Sequence, residues 1–237
     1  DLPVGTDPYA AAVYAKGAEN FQHMIDEGVL VRDTTDCYYA YRITMGEHQQ
    51  TGLVAGASVA AYDRNDVRKH EYTRPKKEDD RVRQVDALNA QTGPVFLTYK
   101  GHEVVDGILL AASQGEPEVD VTLDDGVRHE LWVINQADTI CQLTDAFDEM
   151  GVIYVADGHH RSAAATRVAA MRRGEGGDPE SGYEHFLTLI IPDHQMQILD
   201  YNRVVKDLNG LDRNQILAPN AEAFTCVEAD APDKPAG

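Results

Sequence analysis

Residues 152–162 constrain the fold more than any other stretch, because an apolar run meets a glycine and then an alanine-rich run. The sequence there is Val-Ile-Tyr-Val-Ala-Asp-Gly-His-His-Arg-Ser. The pattern predicts a strand over 152–155 and a helix over 162–171, with Gly158 at the bend between them. A helix N-terminus offers unpaired backbone N–H groups and about half a positive charge, so it attracts anions. The sequence therefore predicts an anion site at this junction.

Polar side chains flank the predicted bend. His159, His160 and Arg161 follow Gly158 and would add hydrogen-bond donors to the site. Asp157 precedes the bend, where a carboxylate could bind magnesium or orient a hydroxyl, as phosphoryl chemistry requires. In a purely structural alternative, Asp157 caps the helix and the histidines are solvated. In another, Asp157 and both histidines bind a transition metal, which needs a non-helical turn because adjacent helical residues point apart.

A second segment, residues 70–81, reads His-Glu-Tyr-Thr-Arg-Pro-Lys-Lys-Glu-Asp-Asp-Arg. Its Pro75 predicts a helix start. Glu71 could serve as a general base on a hydroxyl, while Lys77 and Arg81, with Lys76, could neutralise phosphate oxygens. The alternative is a solvated helix start whose charges pair locally at i, i+3 and i, i+4 spacing.

Composition limits the partners of the chain. Its 237 residues carry 40 acidic and 21 basic side chains, a net charge of −19, which argues against nonspecific binding to nucleic acid or to anionic membranes. No apolar stretch reaches the roughly 18 residues that span a bilayer. Cys37, Cys141 and Cys226 are far apart and odd in number, which favours a reducing compartment. We expect a soluble, cytoplasmic protein that binds neither membranes nor nucleic acid.

Periodicity and turn residues predict an α+β fold with a mixed sheet and several hairpins. Residues 1–211 are expected to form a single domain and residues 212–237 an irregular C-terminal segment. Gln49-Gln50-Thr51-Gly52 reads as a hairpin turn, and Tyr201-Asn202-Arg203 as part of a strand that could bring one more cation. The predicted helices are 9–28, 75–91, 102–113 and 137–150, and the predicted strands are 37–45, 53–62, 95–99, 119–123, 130–134, 186–191 and 197–205.

Motifs along the chain resemble, in order, those of the bacterial and archaeal family called domain of unknown function 1015. The resemblance covers residues 9–211, and the chain looks like the central part of a family member. The motifs are Gln50–Leu53, Lys69–Pro75 with Lys77–Arg81, Pro94–Tyr99, Ala156–Arg161 and Tyr201–Arg203.

The Asp-Gly-x-His-Arg core is also similar to the phosphate-binding turn of the ParB and sulfiredoxin superfamily, which includes a nucleotide-dependent free serine kinase. This resemblance implies a ParB/sulfiredoxin-like fold, with nucleotide phosphates on the backbone of residues 157–161 and His160 and Arg161 as ligands. His159 replaces the cysteine of sulfiredoxin, so sulfinic acid repair is not expected. The arginine pair of ParB is absent, which weakens a DNA-partition role.

Together these features predict a nucleotide-binding protein, a magnesium-dependent phosphotransferase that acts on a small hydroxylated metabolite. ATP or ADP, with CTP as an alternative, and Mg²⁺ are the expected cofactors. Asp157 would bind the metal or the acceptor, and Glu71 would be the catalytic base. The expected nucleotide ligands are Gly158, His159, His160, Arg161, Lys77 and Arg81.

Two other functions remain open from the sequence. The first is a nucleotide-gated binding switch resembling ParB, for which a homodimer would be consistent. The second is a metal-dependent hydrolase built around one transition ion. Its ligands would be His70, Glu71, Asp157, His159 and His160.

Overall fold

An eight-stranded mixed sheet, in the order β3-β7-β4-β8-β2-β1-β6-β5, organises the fold. Strands β3 and β7, and strands β4 and β8, pair in parallel, and the other neighbours are antiparallel. The α+β class with a mixed sheet and hairpins, predicted from the sequence, is confirmed. The strands are β1 Tyr38–Met45, β2 His48–Ser58, β3 Val67–Arg68, β4 Val95–Tyr99, β5 Val119–Thr122, β6 Arg128–Ile134, β7 Ile153–Asp157 and β8 His185–Pro192.

The structure is a computed structural model that describes residues 2–178, 181–199, 206–221, 223–225 and 227. It divides into two compact units, Asp1–Met196 and Gln197–Gly237. None of the helices in the described part of the chain is long and apolar enough to cross a membrane. The helices are α1 Ala11–Asp26, α2 Val59–Asp63, α3 Pro75–Leu88, α4 Glu103–Ala112, α5 Ala137–Met150, α6 His159–Gly174 and α7 Arg213–Asn220.

The main core lies where β4 meets α4 and α5. Val95, Leu97 and Tyr99 alternate along β4 and are almost fully buried, as a half-buried strand of period two requires. The Tyr99 ring contacts the Phe147 ring of α5 edge to face, and its hydroxyl donates to Asp106 of α4 at 2.6 Å. Burial and this hydrogen bond raise the pKa of the Tyr99 hydroxyl, which therefore stays protonated.

A smaller core joins α3 to α6. Val82 of α3 packs against Ala164 and Val168 of α6, and Ala164 is completely buried. Because alanine allows close approach of two helices, α3 lies directly beside α6. This contact places the first turns of the two helices near each other.

One predicted strand, 53–62, is wrong at both ends. The segment Gln49–Gly52 is not a turn but part of β2, and the turn is confined to Gly46 and Glu47. Gly46 takes a φ of +60°, which lets a shorter turn close the hairpin. At its other end β2 stops at Ser58, whose side chain accepts the Ala61 N–H and caps α2, where the sequence predicted a strand to residue 62.

The second unit contains helix α7 where an irregular segment was expected. Asp212 and Gln215 form a capping box at the start of α7, in which each side chain accepts a hydrogen bond from the backbone N–H of the other residue. Residues 197–199 are not in a strand, and residues 200–205, with Tyr201-Asn202-Arg203, lie outside the described residues. The proposed boundary at residue 211 stays a prediction.

Candidate functional site

The turn between β7 and α6 is tighter than the sequence suggested. β7 continues to Asp157, Gly158 is the N-cap residue, and α6 already begins at His159. Gly158 has a φ of +97°, a left-handed conformation that side chains disfavour. A Cβ atom there would lie 2.9 Å from Arg161 Nη2. The backbone therefore requires glycine, and any side chain at this position would also displace the Arg161 guanidinium.

The start of α6 leaves backbone donors available. Gly158 has no side chain to cap the helix, and the Arg161 N–H donates to the Gly158 carbonyl at 2.8 Å. Among the described residues, no acceptor takes the N–H of His159 or of His160. These two donors and the positive end of the helix dipole form the anion-attracting geometry expected from the sequence.

Both histidines fix the segment before α3 in place. The His159 Nε2 accepts the His70 N–H at 3.4 Å, and the His160 Nε2 accepts the Arg74 N–H at 3.0 Å. His159 is only 3% exposed, so the reading of two solvated histidines is wrong for this residue. The side chains of α6 thus join the two segments that were identified separately in the sequence.

The histidine contacts also bear on the transition-metal alternative. Both imidazoles are in helical positions, with their Nε2 atoms already accepting backbone hydrogen bonds from His70 and Arg74. Within the described part of the chain, no group of three or more His, Cys, Asp or Glu side chains is arranged to hold a metal ion. This geometry favours a role of the histidines in positioning the backbone.

The hydrogen bond to Nε2 defines the neutral form of His159. Its proton must be on Nδ1, which lies 3.8 Å from Glu71 Oε2. Burial lowers the pKa of His159, and the nearby His70 adds to this effect, while Glu71 and Asp157 act in the opposite direction. The separation of 3.8 Å from the Glu71 carboxylate is too long for a direct hydrogen bond, and the Glu71 side chain is 60% exposed.

Arg161 lies over the turn. Its Nη2 donates to Asp157 Oδ2 at 2.8 Å, and its guanidinium packs against Gly158 on one side and approaches Gly93 on the other. The Asp157 side chain is 78% exposed, so this ion pair is open to solvent and contributes little to stability. An exposed pair of this kind can exchange partners when an anion binds.

The first turn of α3 is held in position by ion pairs to α6. Arg167 Nη1 donates to Glu78 Oε1 at 2.9 Å and to Asp79 Oδ1 at 2.7 Å. The Thr73 hydroxyl donates to the other oxygen of Glu78, which lowers the pKa of this carboxyl together with Arg167. Glu78 and Asp79 are therefore structural. Lys77 and Arg81 line the cleft at the start of α6, and the Arg81 guanidinium also donates to Gln84 Oε1 at 2.7 Å and lies 3.3 Å from Asp80 Oδ2.

One cleft of about 550 Å³ brings the predicted residues together. Its size is within the usual range for small-molecule sites. All eight residues predicted as catalytic or nucleotide-binding line this cleft. The lining residues are Tyr9, Glu71, Lys77, Asp80, Arg81, Asp157, Gly158, His159, His160 and Arg161.

The sequence did not predict two residues of the cleft, Tyr9 and Asp80. Tyr9 is the residue at which a helix was predicted to begin, and nothing in its sequence neighbourhood connects it with the distant turn. Asp80 was interpreted only as a charge in the first turn of α3. It accepts a hydrogen bond from the Tyr14 hydroxyl at 2.7 Å, which attaches α1 to α3 and brings Tyr9 to the cleft.

Comparison with known proteins identifies the family. A family model described as "protein of unknown function (DUF1015)" matches residues 1–236, so the chain belongs to this family. The match is longer than the 9–211 expected from the motifs. No curated protein and no solved structure gives a significant match to the chain.

Proposed function

We propose that the cleft binds a nucleoside di- or triphosphate and transfers its terminal phosphoryl group to the hydroxyl of a small metabolite. The observation that carries this proposal is the shared cleft. It combines two free backbone N–H groups with the cations Lys77, Arg81 and Arg161 and the carboxylate Glu71. Cationic donors around a helix N-terminus stabilise phosphate oxygens, and a carboxylate can take up the acceptor proton.

The phosphate chain would lie on the backbone of Gly158, His159 and His160. Arg161 is positioned to contact it, because its guanidinium already lies over this turn and makes only a solvent-exposed pair with Asp157. Lys77 and Arg81 extend from α3 into the same cleft and would neutralise the oxygens that gain charge during transfer.

The chemical step would be an in-line displacement at the terminal phosphorus. A bond forms from the acceptor oxygen to phosphorus as the bond from phosphorus to the bridging oxygen breaks. The hydroxyl proton passes to the Glu71 carboxylate, and the nucleotide leaves with one phosphate fewer. Neutral His159 lies beside this carboxylate, with 3.8 Å between its Nδ1 and Glu71 Oε2.

A magnesium ion fits the oxygen ligands available in the cleft. Asp157 lines it and uses only Oδ2 to accept from Arg161, whereas both oxygens of Asp80 already contact Tyr14 and Arg81. Magnesium needs just one or two carboxylates beside phosphate oxygens and water. When bound, the ion would neutralise charge on the transferring phosphoryl group.

Calorimetric titration of the metal-stripped protein with ATP, ADP and CTP, with and without Mg²⁺, tests the proposal. We expect saturable binding that weakens at least about tenfold in Arg161→Ala, because charge-assisted hydrogen bonds to phosphate are lost. Arg172→Ala is the matched control, since Arg172 lies on the same helix and pairs with Asp86 at 2.7 Å but does not line the cleft. Equal affinity in Arg161→Ala and wild type would contradict the assignment of the phosphate site.

Product analysis separates the alternatives. Phosphorylation of a hydroxylated acceptor, lost in Glu71→Gln with nucleotide binding retained, supports the phosphotransferase. Nucleotide binding without turnover on a panel of hydroxylated metabolites would instead favour the nucleotide-gated switch. Turnover that follows a transition ion, with no need for nucleotide, would favour the hydrolase.

A further inference from the structure

Tyr9 lies between the cleft and a second recess. Its ring is covered by the Lys76 ammonium at 4.4 Å from the ring centroid, and its N–H donates to Asp7 Oδ1 at 3.0 Å. The backbone and the ring of this residue are therefore both held in place ahead of α1. Among the described residues that line the cleft, Tyr9 is the only Phe, Tyr or Trp.

The second recess, here called the α1–α3 recess, has a volume of about 290 Å³. It adjoins the cleft because Tyr9 and Asp80 line both. Its walls are polar and hold donors as well as acceptors. The lining residues are Tyr9, Tyr14, Lys76, Asp79, Asp80 and Arg83.

We propose that Tyr9 and the α1–α3 recess form the subsite for the nucleobase, an inference that rests on the proposed nucleotide-binding function. Bases stack on aromatic rings, and their edges need hydrogen-bond donors and acceptors. Tyr9 supplies the ring face that Lys76 does not cover, while Lys76 and Arg83 supply donors and Asp79 an acceptor. With the phosphates at the start of α6, the nucleoside extends past Asp80 to Tyr9.

Tyr72 is the rival aromatic residue. It is 98% exposed and adjacent in sequence to Glu71, yet it lines neither the cleft nor the α1–α3 recess. An aromatic side chain that lines neither cavity is not placed to stack on a base in the α1–α3 recess. Tyr72→Ala is therefore the matched control for Tyr9→Ala.

The experiment compares ATP with inorganic triphosphate as ligands of the full chain by calorimetry. The variants are Tyr9→Ala, Tyr9→Phe and Tyr72→Ala. In Tyr9→Ala we expect ATP to bind roughly 5- to 150-fold more weakly, since one base stack is lost. Triphosphate affinity should stay within twofold of wild type, and Tyr9→Phe, which keeps the ring, should bind both ligands normally.

The outcomes separate this inference from the proposed function. Unchanged ATP affinity in Tyr9→Ala, or a loss found in Tyr72→Ala instead, overturns the nucleobase subsite. An equal loss for ATP and triphosphate in Tyr9→Ala also overturns it, because Tyr9 would then act on the phosphate site. If wild type binds triphosphate and ATP equally well, the base makes no contribution to affinity. That result overturns the nucleobase subsite and supports only the phosphate site in the cleft. If wild type binds neither, the proposed function itself fails.

Discussion

Gly158 and Arg161 occupy one small space at the end of β7, and this contact gives a stability prediction. Replacing Gly158 with Ala combines a φ of +97° with a Cβ only 2.9 Å from Arg161 Nη2. We expect the free energy of unfolding to fall by about 1–3 kcal/mol. Urea denaturation measures this change in the free energy of unfolding.

Gly107→Ala is the control for the Gly158 variant. Gly107 lies inside α4 with nothing within 4 Å of a Cβ atom. The same change there should raise the free energy of unfolding by about 0.5–1 kcal/mol. Equal effects of the two substitutions would contradict the geometry described for the turn.

His159 predicts a pH dependence of stability. Burial holds its pKa in the folded protein below the ordinary value of 6.5, with His70 acting in the same direction and Glu71 and Asp157 opposing. Because the unfolded chain then binds more protons, the stability contributed by neutral His159 is complete above pH 6.5 and is lost as the pH falls through the lower folded-state value.

The comparison is between wild type and His159→Gln, in which an amide oxygen can still accept the His70 N–H but cannot titrate. Urea melts between pH 5 and pH 7.5 should show a steeper loss of stability for wild type on acidification. Parallel curves for the two proteins would show that His159 does not titrate differently on folding.

At the residue scale, the anion turn could be predicted because its determinants are local. A strand, Gly158 and a run of cations are adjacent in the sequence. Tyr9 could not be predicted, because its place in the cleft depends on how α1 packs on α3. That packing includes one hydrogen bond, from Tyr14 to Asp80, between residues far apart in sequence.

At the element scale, the cleft depends on the contact between α3 and α6. This contact gives a prediction for both stability and binding. Ala164 is fully buried against α3. Ala164→Leu should overpack the contact, destabilise the fold by about 1–3 kcal/mol and weaken ATP binding, since α3 carries Lys77 and Arg81. Thermal melts and calorimetry measure the two effects.

Ala146→Leu is the matched control, because Ala146 is almost fully buried in α5, which packs against α4 and does not line the cleft. We expect a comparable loss of stability with unchanged ATP affinity of the folded protein. A loss of ATP affinity of equal size in both variants would mean that the cleft responds to general destabilisation.

Helix α3 and the hairpins illustrate what sequence patterns can locate. Pro75 marked the start of α3 correctly, because proline at this position favours a helix on local grounds. The start of β2 was predicted at residue 53 instead of His48, because the polar run Gln49–Thr51 resembles a turn. In the fold the Thr51 hydroxyl accepts from Arg42, and the Thr51 N–H donates to the Gln195 side chain. These contacts give the polar residue partners within a strand.

At the scale of the whole molecule, the cleft belongs to the first compact unit. Every described residue that lines it precedes Gln197. We therefore expect a chain that ends at Met196, and the full chain carrying Arg203→Ala, to bind ATP within twofold of wild type. Calorimetry of both proteins checks this. Loss of ATP affinity in both would contradict this expectation and would favour the sequence-based hypothesis that Tyr201-Asn202-Arg203 supplies one more cation.

Because the net charge of the protein is −19, binding of a phosphate anion would be stronger evidence for a specific site than it would be on a basic protein. The general field of the molecule repels an anion, so binding must come from groups at short range. The start of α6 and the cations around it supply such groups. The most direct measurement therefore follows individual backbone amides.

That measurement is a titration of ¹⁵N-labelled protein with ATP and Mg²⁺, monitored by the amide signals in two-dimensional NMR spectra. We predict saturable shifts that are largest at Gly158, His159 and His160, with smaller ones around Lys77 and Arg81, and none of this pattern in Arg161→Ala. Unchanged amide signals at the start of α6, or shifts confined to another part of the chain, would contradict the account of this cleft as a nucleotide phosphate site.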